Sequence, residues 1–198
     1  MSTIPLADDP MVQFGVWYKE AEKCKAIEQA NAMCLATIDP DGFPDGRMVL
    51  MKGFDARGFV FYTNLKSLKG RSLAQLPKAA LIFHWDPLKT QIRIQGATDI
   101  VPDAEADAYW KTRPRISQIG AWASLQSEPL DSNRTFIKRL SEYALKFGVS
   151  AVPRPPHWSG YRLKPVKIEF WRARRGRLHE RILYTRQGPS WNVARLYP

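Results

Sequence analysis

The sequence predicts a mainly β fold with added helices (α+β), in which an antiparallel barrel forms the centre. Short apolar runs separated by turn residues recur along the chain, and residues 91–95 alternate strictly between polar and apolar side chains. Helical patterns stand between these runs without the regular alternation that builds a parallel sheet. The 198 residues fit one domain, 1–198, with a core large enough to form without disulfides or structural metal.

The first predicted element is an amphipathic helix over residues 10–30. Asp9 can cap it, Pro10 suits its first turn, and apolar residues then recur at helical spacing from Met11 to Ile27. Turn residues separate the runs that follow. These runs predict three strands in hairpin succession, at 33–38, 47–52 and 59–63.

Helices and further strands make up the rest of the pattern. Ser67 can cap a short helix that Pro77 ends, and Gly148 can end a longer one over 132–147. A third helical stretch is predicted over 102–112, between the strands and the longer helix. The remaining strands are predicted at 79–85, 91–101 and, as closing strands in about 158–198, at 159–164, 166–172, 178–185 and 191–196.

The charge of the chain favours an anionic partner. It has 30 Lys and Arg against 19 Asp and Glu, a net charge of +11. This charge suits nucleic acid, an acidic membrane surface or a phosphorylated small molecule. Net charge alone does not distinguish among these three partners. Neither a Gly-x-Gly-x-x-Gly nor a Walker-type motif occurs, so nucleotide binding through those loops is not predicted.

The cysteines and the hydropathy pattern bear on metal binding and on compartment. Cys24 and Cys34 are the only cysteines, and neither has the neighbouring Cys or His ligands of a zinc site. We therefore expect two buried, reduced thiols and no metal. The chain has neither a secretory leader pattern nor a run of about 20 apolar residues, so we expect a cytoplasmic protein that does not enter a membrane.

Two segments place cations where an anionic ligand could bind. Arg47 and Lys52 bracket an apolar strand and, at a spacing of five, are expected on opposite faces. Either one ligand wraps the strand edge, or two ligands are present, or the sheet merely has charged ends. In residues 62–69 a strand runs into a helix start with Lys69 nearby, which suits phosphate but is also typical of an ordinary serine cap.

A second pair of clusters lies nearer the C-terminus. Tyr109, Arg113 and Ser117 are spaced by four, and Pro114 predicts that Arg113 ends one helix while Ser117 belongs to the next. They could converge on a phosphate, or Arg113 and Arg115 could be solvated at a helix corner.

Three further residues share a predicted strand. Arg177, His179 and Arg181 would point the same way and would need an anion among them. A charged solvent face is the plainer interpretation for the neighbouring Arg172, Arg174 and Arg175.

Taken in this order, the segments resemble the pyridoxine (pyridoxamine) 5′-phosphate oxidase family, the flavin enzymes of vitamin B6 metabolism. The resemblance covers nearly the whole chain from Asp9 onward. Its most specific segments are 47–52, 61–64, 113–122, 126–127, 168–171 and 177–181.

The resemblance implies an FMN-binding split β-barrel that forms a homodimer with FMN in clefts at the subunit interface. The FMN contacts carried over are Arg47, Met48, Val49, Leu50, Lys52, Tyr62, Thr63, Lys69, Gln91, Gln126, Ser127, Trp171 and Arg181. The substrate contacts carried over are Lys52, Tyr109, Arg113 and Ser117 around a phosphate, and Arg177, Leu178 and His179 at the pyridine ring. Arg177 and His179 would be the catalytic residues. Leu68 stands where the family usually has Arg, so one contact to the FMN phosphate is missing or comes from Lys66 or Arg71.

The resemblance also implies a reaction. C4′ of pyridoxine 5′-phosphate or pyridoxamine 5′-phosphate would be oxidised to the aldehyde of pyridoxal 5′-phosphate, with FMN as the hydride acceptor. O₂ would reoxidise the flavin and give H₂O₂, and the amine would also release ammonia. One alternative is an FMN oxidase of the same fold with another substrate, as in phenazine pathways, against which Lys52, Arg113 and Ser117 argue. The other is a basic nucleic-acid-binding barrel, for which no recognisable motif is present.

Overall fold

The protein is described from a computed structural model that covers residues 7–198. These residues form five α-helices and nine strands. The helices are α1 (Pro10–Lys23), α2 (Leu68–Gln75), α3 (Asp103–Thr112), α4 (Arg115–Ala123) and α5 (Asn133–Phe147). The strands are β1 (Ala32–Ile38), β2 (Pro44–Leu50), β3 (Gly53–Asp55), β4 (Gly58–Asn64), β5 (Lys78–Trp85), β6 (Thr90–Ile100), β7 (Trp158–Arg172), β8 (Glu180–Gln187) and β9 (Ser190–Leu196).

The strands form one antiparallel sheet whose main path runs β2-β1-β5-β6-β7-β4-β3. β7 is its longest strand, with 15 residues. β6 pairs along one side of β7, while β4 pairs with residues 158–163 and β8 with residues 167–172 on the other side. This branching, with a bulge between Gln95 and Gly96, curls the sheet into a half-barrel and confirms the predicted split-barrel fold.

The core lies where α1 packs against this sheet. Phe14 is fully buried and makes edge-to-face contacts with three rings. Its ring centroid lies 4.8 Å from those of Phe54 and Phe59 and 5.2 Å from that of Phe83. Edge-to-face contacts of this kind add to the free energy gained by burying the rings. The helix begins as predicted, because the Asp9 side chain accepts a hydrogen bond from the N–H of Met11 and Pro10 occupies the first turn.

The predicted end of α1 is wrong, because the helix stops at Lys23 instead of continuing to residue 30. Ile27 still packs against the core from the following turn. Ile27 is apolar because it packs in the core, and its position matched the helical spacing although it lies outside the helix. The spacing of apolar residues therefore predicted a helix that is too long. The predicted burial of the thiols is also wrong, since Cys24 and Cys34 are only half-buried.

The strand predictions need three corrections. β2 pairs with β1 but not with β4, so the first three predicted strands are not successive hairpins. β4 instead pairs with the short β3, which the sequence did not indicate, and with β7. The two strands predicted at 159–164 and 166–172 are one continuous strand, because the pairing passes Pro165 at the bulge. Across residues 7–198, no helix combines the length and apolar character required to span a membrane.

Ser67 holds the start of α2, as predicted. Its buried hydroxyl accepts a hydrogen bond from the N–H of Gly70 at 3.4 Å and donates one to the carbonyl of Asn64 at 2.7 Å. This double contact fixes both the end of β4 and the first turn of α2, which carries Lys69.

We expect Ser67→Ala to lower the free energy of unfolding by about 1–2 kcal/mol, because the buried N–H of Gly70 loses its side-chain acceptor and the carbonyl of Asn64 keeps only the N–H of residue 67 as a donor. In thermal unfolding this corresponds to a fall in Tm of about 2–8 °C for a chain of this size. Ser132→Ala is the control, since Ser132 caps α5 at an exposed site and its loss costs less. Equal Tm values for the two variants would contradict this role of Ser67.

Candidate functional site

A cleft of about 620 Å³ lies between the sheet and the helices α2, α3 and α4. Residues of β2 and β4 form one wall, and the break between α3 and α4 forms the other. The cleft brings together the predicted residues Met48, Val49, Leu50, Lys52, Tyr62, Thr63, Lys69, Tyr109, Arg113, Ser117 and Gln126. Most of the predicted site therefore shares one cavity of the size that small ligands and cofactors occupy.

The charge of the cleft is positive. Lys52, Lys69 and Arg113 line it, and none of its lining residues in the described part of the chain is Asp or Glu. Three cations that converge in a concave, partly desolvated space attract anions strongly. The cleft is therefore suited to a ligand with phosphate or carboxylate groups.

Lys69 is buried at 9% exposure, and its Nζ lies 3.4 Å from the hydroxyl of Ser67. Burial, followed by the charge of Arg47, lowers the pKa of Lys69, and the charge of Asp45 opposes this only in part. Arg47 itself does not line the cleft, because its guanidinium bonds to Asp45, to the hydroxyl of Thr37 and to a backbone carbonyl. The two cations are close enough to interact, which favours an anion between them.

Arg113 stands at the break between α3 and α4, as predicted from Pro114. Burial lowers the pKa of Arg113, and its Nη2 donates to the carbonyl of Ser117 at 3.3 Å. Its Nε is buried and has no hydrogen-bond partner among residues 7–198. A half-buried guanidinium whose buried Nε has an unused donor is costly unless a ligand accepts that hydrogen bond.

Arg115 is exposed at this corner, as the alternative of solvated arginines expects, but it also has backbone partners. The guanidinium of Arg115 donates to the carbonyls of Ser150 and Gly148, just beyond the end of α5. Arg115 therefore ties α4 to α5, and Arg113 alone of the two reaches the cleft.

Tyr62 and Tyr109 stack in the cleft with ring centroids 4.1 Å apart. Burial, with a contribution from the charge of Glu105, raises the pKa of Tyr62 to about 12. Tyr62 is therefore neutral near pH 7 and acts as an apolar and hydrogen-bonding surface rather than as a base. Nζ of Lys52 lies 6.0 Å from the ring centroid of Tyr109, so this cation also faces the aromatic pair.

The loop after α4 is tied to the start of α2. The N–H of Leu68 donates to the hydroxyl of Ser127 at 3.1 Å, and Ser127 has a positive φ of 76°. Arg71 pairs with Glu128 at 3.1 Å in an exposed ion pair and does not line the cleft. Gln126 lines the cleft from this loop, whereas Ser127 lies beside it.

The other predicted residues form a second cluster on β6, β7 and β8. Gln91, Trp171 and Arg181 lie directly opposite one another in the registers of these three strands. Arg181 donates to Glu169 at 2.8 Å, and Glu169 also pairs with Arg93. The row presents an amide, an indole and a guanidinium on one face of the sheet.

Arg177 and His179 are not on a strand, and the prediction that they alternate with Arg181 on one strand is wrong. β8 begins at Glu180, and Arg177 lies in a short 3₁₀ turn with a φ of 61°. A left-handed conformation at a non-glycine residue is uncommon and concentrates at functional sites. Arg177 and Leu178 are exposed.

His179 joins the second cluster through Trp171. The two rings lie 4.7 Å apart, and Nδ1 of His179 accepts the N–H of Arg174 at 3.3 Å. In the neutral imidazole the proton therefore sits on Nε2, which remains available as a donor.

Within one chain the two clusters do not share a cavity. Gln91, Trp171, Arg177, His179 and Arg181 do not line the cleft that contains Arg113. Conversely, the sequence did not identify several lining residues, namely Asn64, Thr112, Pro114, Gly120, Ala121, Ser124 and Trp158. Trp158 follows an irregular proline-rich segment, where no periodicity could assign it to a face.

Two family models match the chain. The model described as pyridoxamine 5′-phosphate oxidase matches residues 20–145, and the pyridoxine 5′-phosphate oxidase C-terminal dimerisation region matches residues 158–198. The first contains most residues of the cleft together with Gln91, and the second contains the rest of the second cluster, from Trp171 to Arg181.

Full-length relatives and solved structures agree with these matches. The pyridoxine/pyridoxamine 5′-phosphate oxidase of Caulobacter vibrioides is 56% identical over 96% of this chain and 86% of that protein. The corresponding protein of Azorhizobium caulinodans is 54% identical over 97% of this chain and 91% of its own length.

Among solved structures, PhzG from Burkholderia lata 383, in complex with tetrahydrophenazine-1-carboxylic acid, superposes with a TM-score of 0.90. It is 32% identical, and all of both chains is covered. An FMN-binding protein from Nostoc punctiforme shares the fold with a TM-score of 0.77 at 17% identity, over 98% of this chain and all of that one.

Proposed function

The chain belongs to the pyridoxamine 5′-phosphate oxidase family and is an oxidoreductase, and from this premise we propose that it oxidises pyridoxine 5′-phosphate or pyridoxamine 5′-phosphate to pyridoxal 5′-phosphate. FMN is the proposed cofactor and O₂ the proposed electron acceptor. The observation that carries the proposal is the cleft, where Lys52, Lys69 and Arg113 converge without a carboxylate among its described lining residues.

The substrate's phosphate is assigned to the Arg113 side of the cleft. The unpartnered Nε of Arg113, the hydroxyl of Ser117 and the ammonium of Lys52 supply donors and positive charge there. Charge-assisted hydrogen bonds to phosphate are about twice as strong as neutral ones. The phenol of Tyr109 borders the same space.

The flavin phosphate is assigned to the Lys69 side. The lowered pKa of the buried Lys69 indicates a positive charge whose environment does not compensate it, and a phosphate group would do so. Met48, Val49 and Leu50 offer a strand with apolar side chains and backbone groups for a flat ring system. The residues present therefore fit FMN, which when bound supplies the two-electron acceptor for oxidation at C4′.

A second copy of the chain is proposed to complete the site. The second cluster lies outside the cleft, and apart from Gln91 it falls within the matched dimerisation region. The exposed turn at Arg177 and Leu178 would reach the cleft of the partner subunit. Each assembled site would then contain the cleft of one chain and the second cluster of the other, and a homodimer would have two such sites.

The chain's own groups then have distinct tasks. Lys52, Arg113 and Ser117 hold the phosphate, which places C4′ and limits its motion. Arg177 fixes and polarises the pyridine ring, and Nε2–H of His179 donates a hydrogen bond that orients it. Tyr62, neutral at the pH of the reaction, helps to exclude water through its stack with Tyr109.

The related phenazine-pathway activity is the second candidate, because PhzG superposes closely and its bound ligand, tetrahydrophenazine-1-carboxylic acid, is not phosphorylated. A phosphate-reading cleft discriminates between the two. We expect the purified protein to be yellow, to release a flavin with the mass of FMN, and to form aldehyde from both phosphorylated vitamers with O₂ consumption.

Pyridoxine without its phosphate should be turned over at least about 100-fold less efficiently, since the site's buried donors would be unpaired. Equal turnover of the two forms would contradict the proposed substrate. A colourless preparation that binds nucleic acid with a steep salt dependence would contradict the cofactor as well.

We expect Lys69→Met to weaken FMN binding by about 10- to 100-fold, because one charge-assisted contact to the phosphate is lost. FMN affinity is measured by quenching of flavin fluorescence. Lys138→Met is the matched control, since Lys138 is exposed on α5 and lies outside the cleft. Wild-type affinity in the Lys69 variant would contradict the assignment.

The same variant has a pH signature in the flavin-free protein. Because the pKa of Lys69 is lowered on folding, the unfolded chain binds this proton more tightly. The free energy of unfolding therefore rises with pH between the lowered pKa and the ordinary value of 10.5. Lys69→Met should lack this contribution, which is read as the difference between the two stability–pH curves.

A further inference from the structure

Trp158 is a buried residue of the cleft. Neither the sequence analysis nor the proposed function assigns it a role. It is 4% exposed and begins β7. Its indole lies next to both parts of the cleft wall, the tyrosines from β4 and α3 and the guanidinium of Arg113. These contacts place it directly behind the group to which the substrate's phosphate is assigned.

Three aromatic rings are nearly parallel at this place. Tyr62 lies over Trp158 at 5.3 Å with an interplanar angle of 7°, and Tyr109 lies 6.2 Å from it at 6°. The pairing of β4 with β7 explains this arrangement, because Tyr62 is directly opposite Gly160. A Cβ at residue 160 would stand 2.7 Å from the Tyr62 ring, so only glycine lets that ring fold over the strand toward Trp158.

The guanidinium of Arg113 lies over the Trp158 ring, with Cζ 4.9 Å from the ring centroid. It also lies 5.6 Å from the centroid of Trp110, whose Nε1 is bonded to the carbonyl of Val152. Aromatic faces stabilise a guanidinium that has lost water, and they do so without using its N–H donors. Those donors point outward from the edge of the group, where they can bind a phosphate.

We propose that Trp158 is a positioning residue for substrate binding: its indole holds the Arg113 guanidinium in the orientation that binds the substrate's phosphate. The proposal rests on the proposed function, because it assigns that phosphate to Arg113. Trp158 makes a packing contact with Arg113 and need not touch the substrate. Its loss should therefore act on phosphate recognition and leave the rest of the site intact.

The test uses the FMN-loaded protein and two probes that cannot be oxidised at C4′, 4-deoxypyridoxine 5′-phosphate and 4-deoxypyridoxine. Calorimetry measures the Kd of each probe. For Trp158→Leu we expect about tenfold weaker binding of the phosphorylated probe, with no change for the unphosphorylated one. Trp158→Phe keeps an aromatic face and should retain most of the preference for phosphate.

A double-mutant cycle with Arg113→Met separates a positioning role from a general structural one. If Trp158 acts through Arg113, then Trp158→Leu has no further effect on the phosphorylated probe once Arg113 is replaced. An additive effect, an equal loss of affinity for both probes, or an unchanged Kd in Trp158→Leu would each overturn the proposal. So would a folded Trp158→Phe variant that loses the preference as fully as Trp158→Leu.

The same data distinguish failure of this inference from failure of the proposed function. If the protein does not bind phosphorylated vitamers, the wild type itself shows no preference between the two probes. If only the inference is wrong, the wild type prefers the phosphorylated probe and Trp158→Leu retains that preference in full.

Discussion

Replacing Arg113 by methionine is expected to lower kcat/KM for pyridoxine 5′-phosphate by about 100- to 1,000-fold. Arg113 is a half-buried cation whose buried Nε lacks a partner in the described chain, so a phosphate would compensate it. Methionine keeps the apolar contacts with the neighbouring indoles but supplies no charge and no donor. The loss should therefore come from ligand recognition and not from unfolding.

Steady-state kinetics with the phosphorylated and unphosphorylated vitamers check this expectation. Activity toward unphosphorylated pyridoxine should change little, because that substrate has no group for Arg113 to bind. Arg134→Met is the control, since Arg134 is exposed on α5 and lies outside the cleft. If Arg113→Met lowered both activities by the same factor, Arg113 would not be the phosphate ligand.

Two inactive variants are expected to restore activity when they are combined in one dimer. Arg113→Met damages the cleft, and Arg177→Met damages the second cluster, with an expected loss of at least about tenfold. In a heterodimer of the two, one site receives both defects and the other receives neither. The isolated heterodimer should thus have about half the activity of the wild-type dimer, far above either parent.

Differently tagged copies of the two variants, co-expressed and purified in tandem, provide that heterodimer. The matched control combines Arg113→Met with Lys52→Met. Both substitutions lie in the cleft, so each of the two sites keeps one defect and activity stays low. No recovery in the first pairing would show that one chain supplies a whole site, contrary to the proposal.

The cleft was more predictable than the second cluster, and the reason is local geometry. Pro114 separates α3 from α4, and Ser67 begins α2, so proline and serine place Arg113 and Lys69 without knowledge of the tertiary fold. The alternation in 91–95 likewise predicted β6. Such signals act over a few residues and can be read from the chain directly.

Arg177 and His179 show where this approach fails. Alternation placed them on a strand, but Gly176 and Arg177 both adopt positive φ and start a turn instead. Nothing within a few residues distinguishes that turn from the beginning of β8. Their roles came only from the resemblance to a family, and their proposed neighbours belong to another chain.

Trp158 could not be assigned for a different reason. Its place in the cleft depends on Gly160 and on Tyr62, which is almost a hundred residues earlier in the chain. Long-range strand pairing of this kind leaves no periodic trace around the residue itself. The sequence showed an aromatic residue at the start of a strand, whereas the structure shows the ring under a guanidinium.

The continuous strand β7 connects the two clusters and fixes the distance between them. Its first residue packs beneath Arg113, and Trp171, near its last, anchors His179. An insertion or deletion anywhere between them would shift one cluster against the other by about 3.3 Å per residue. The length of β7 therefore sets the spacing between the two clusters of one chain.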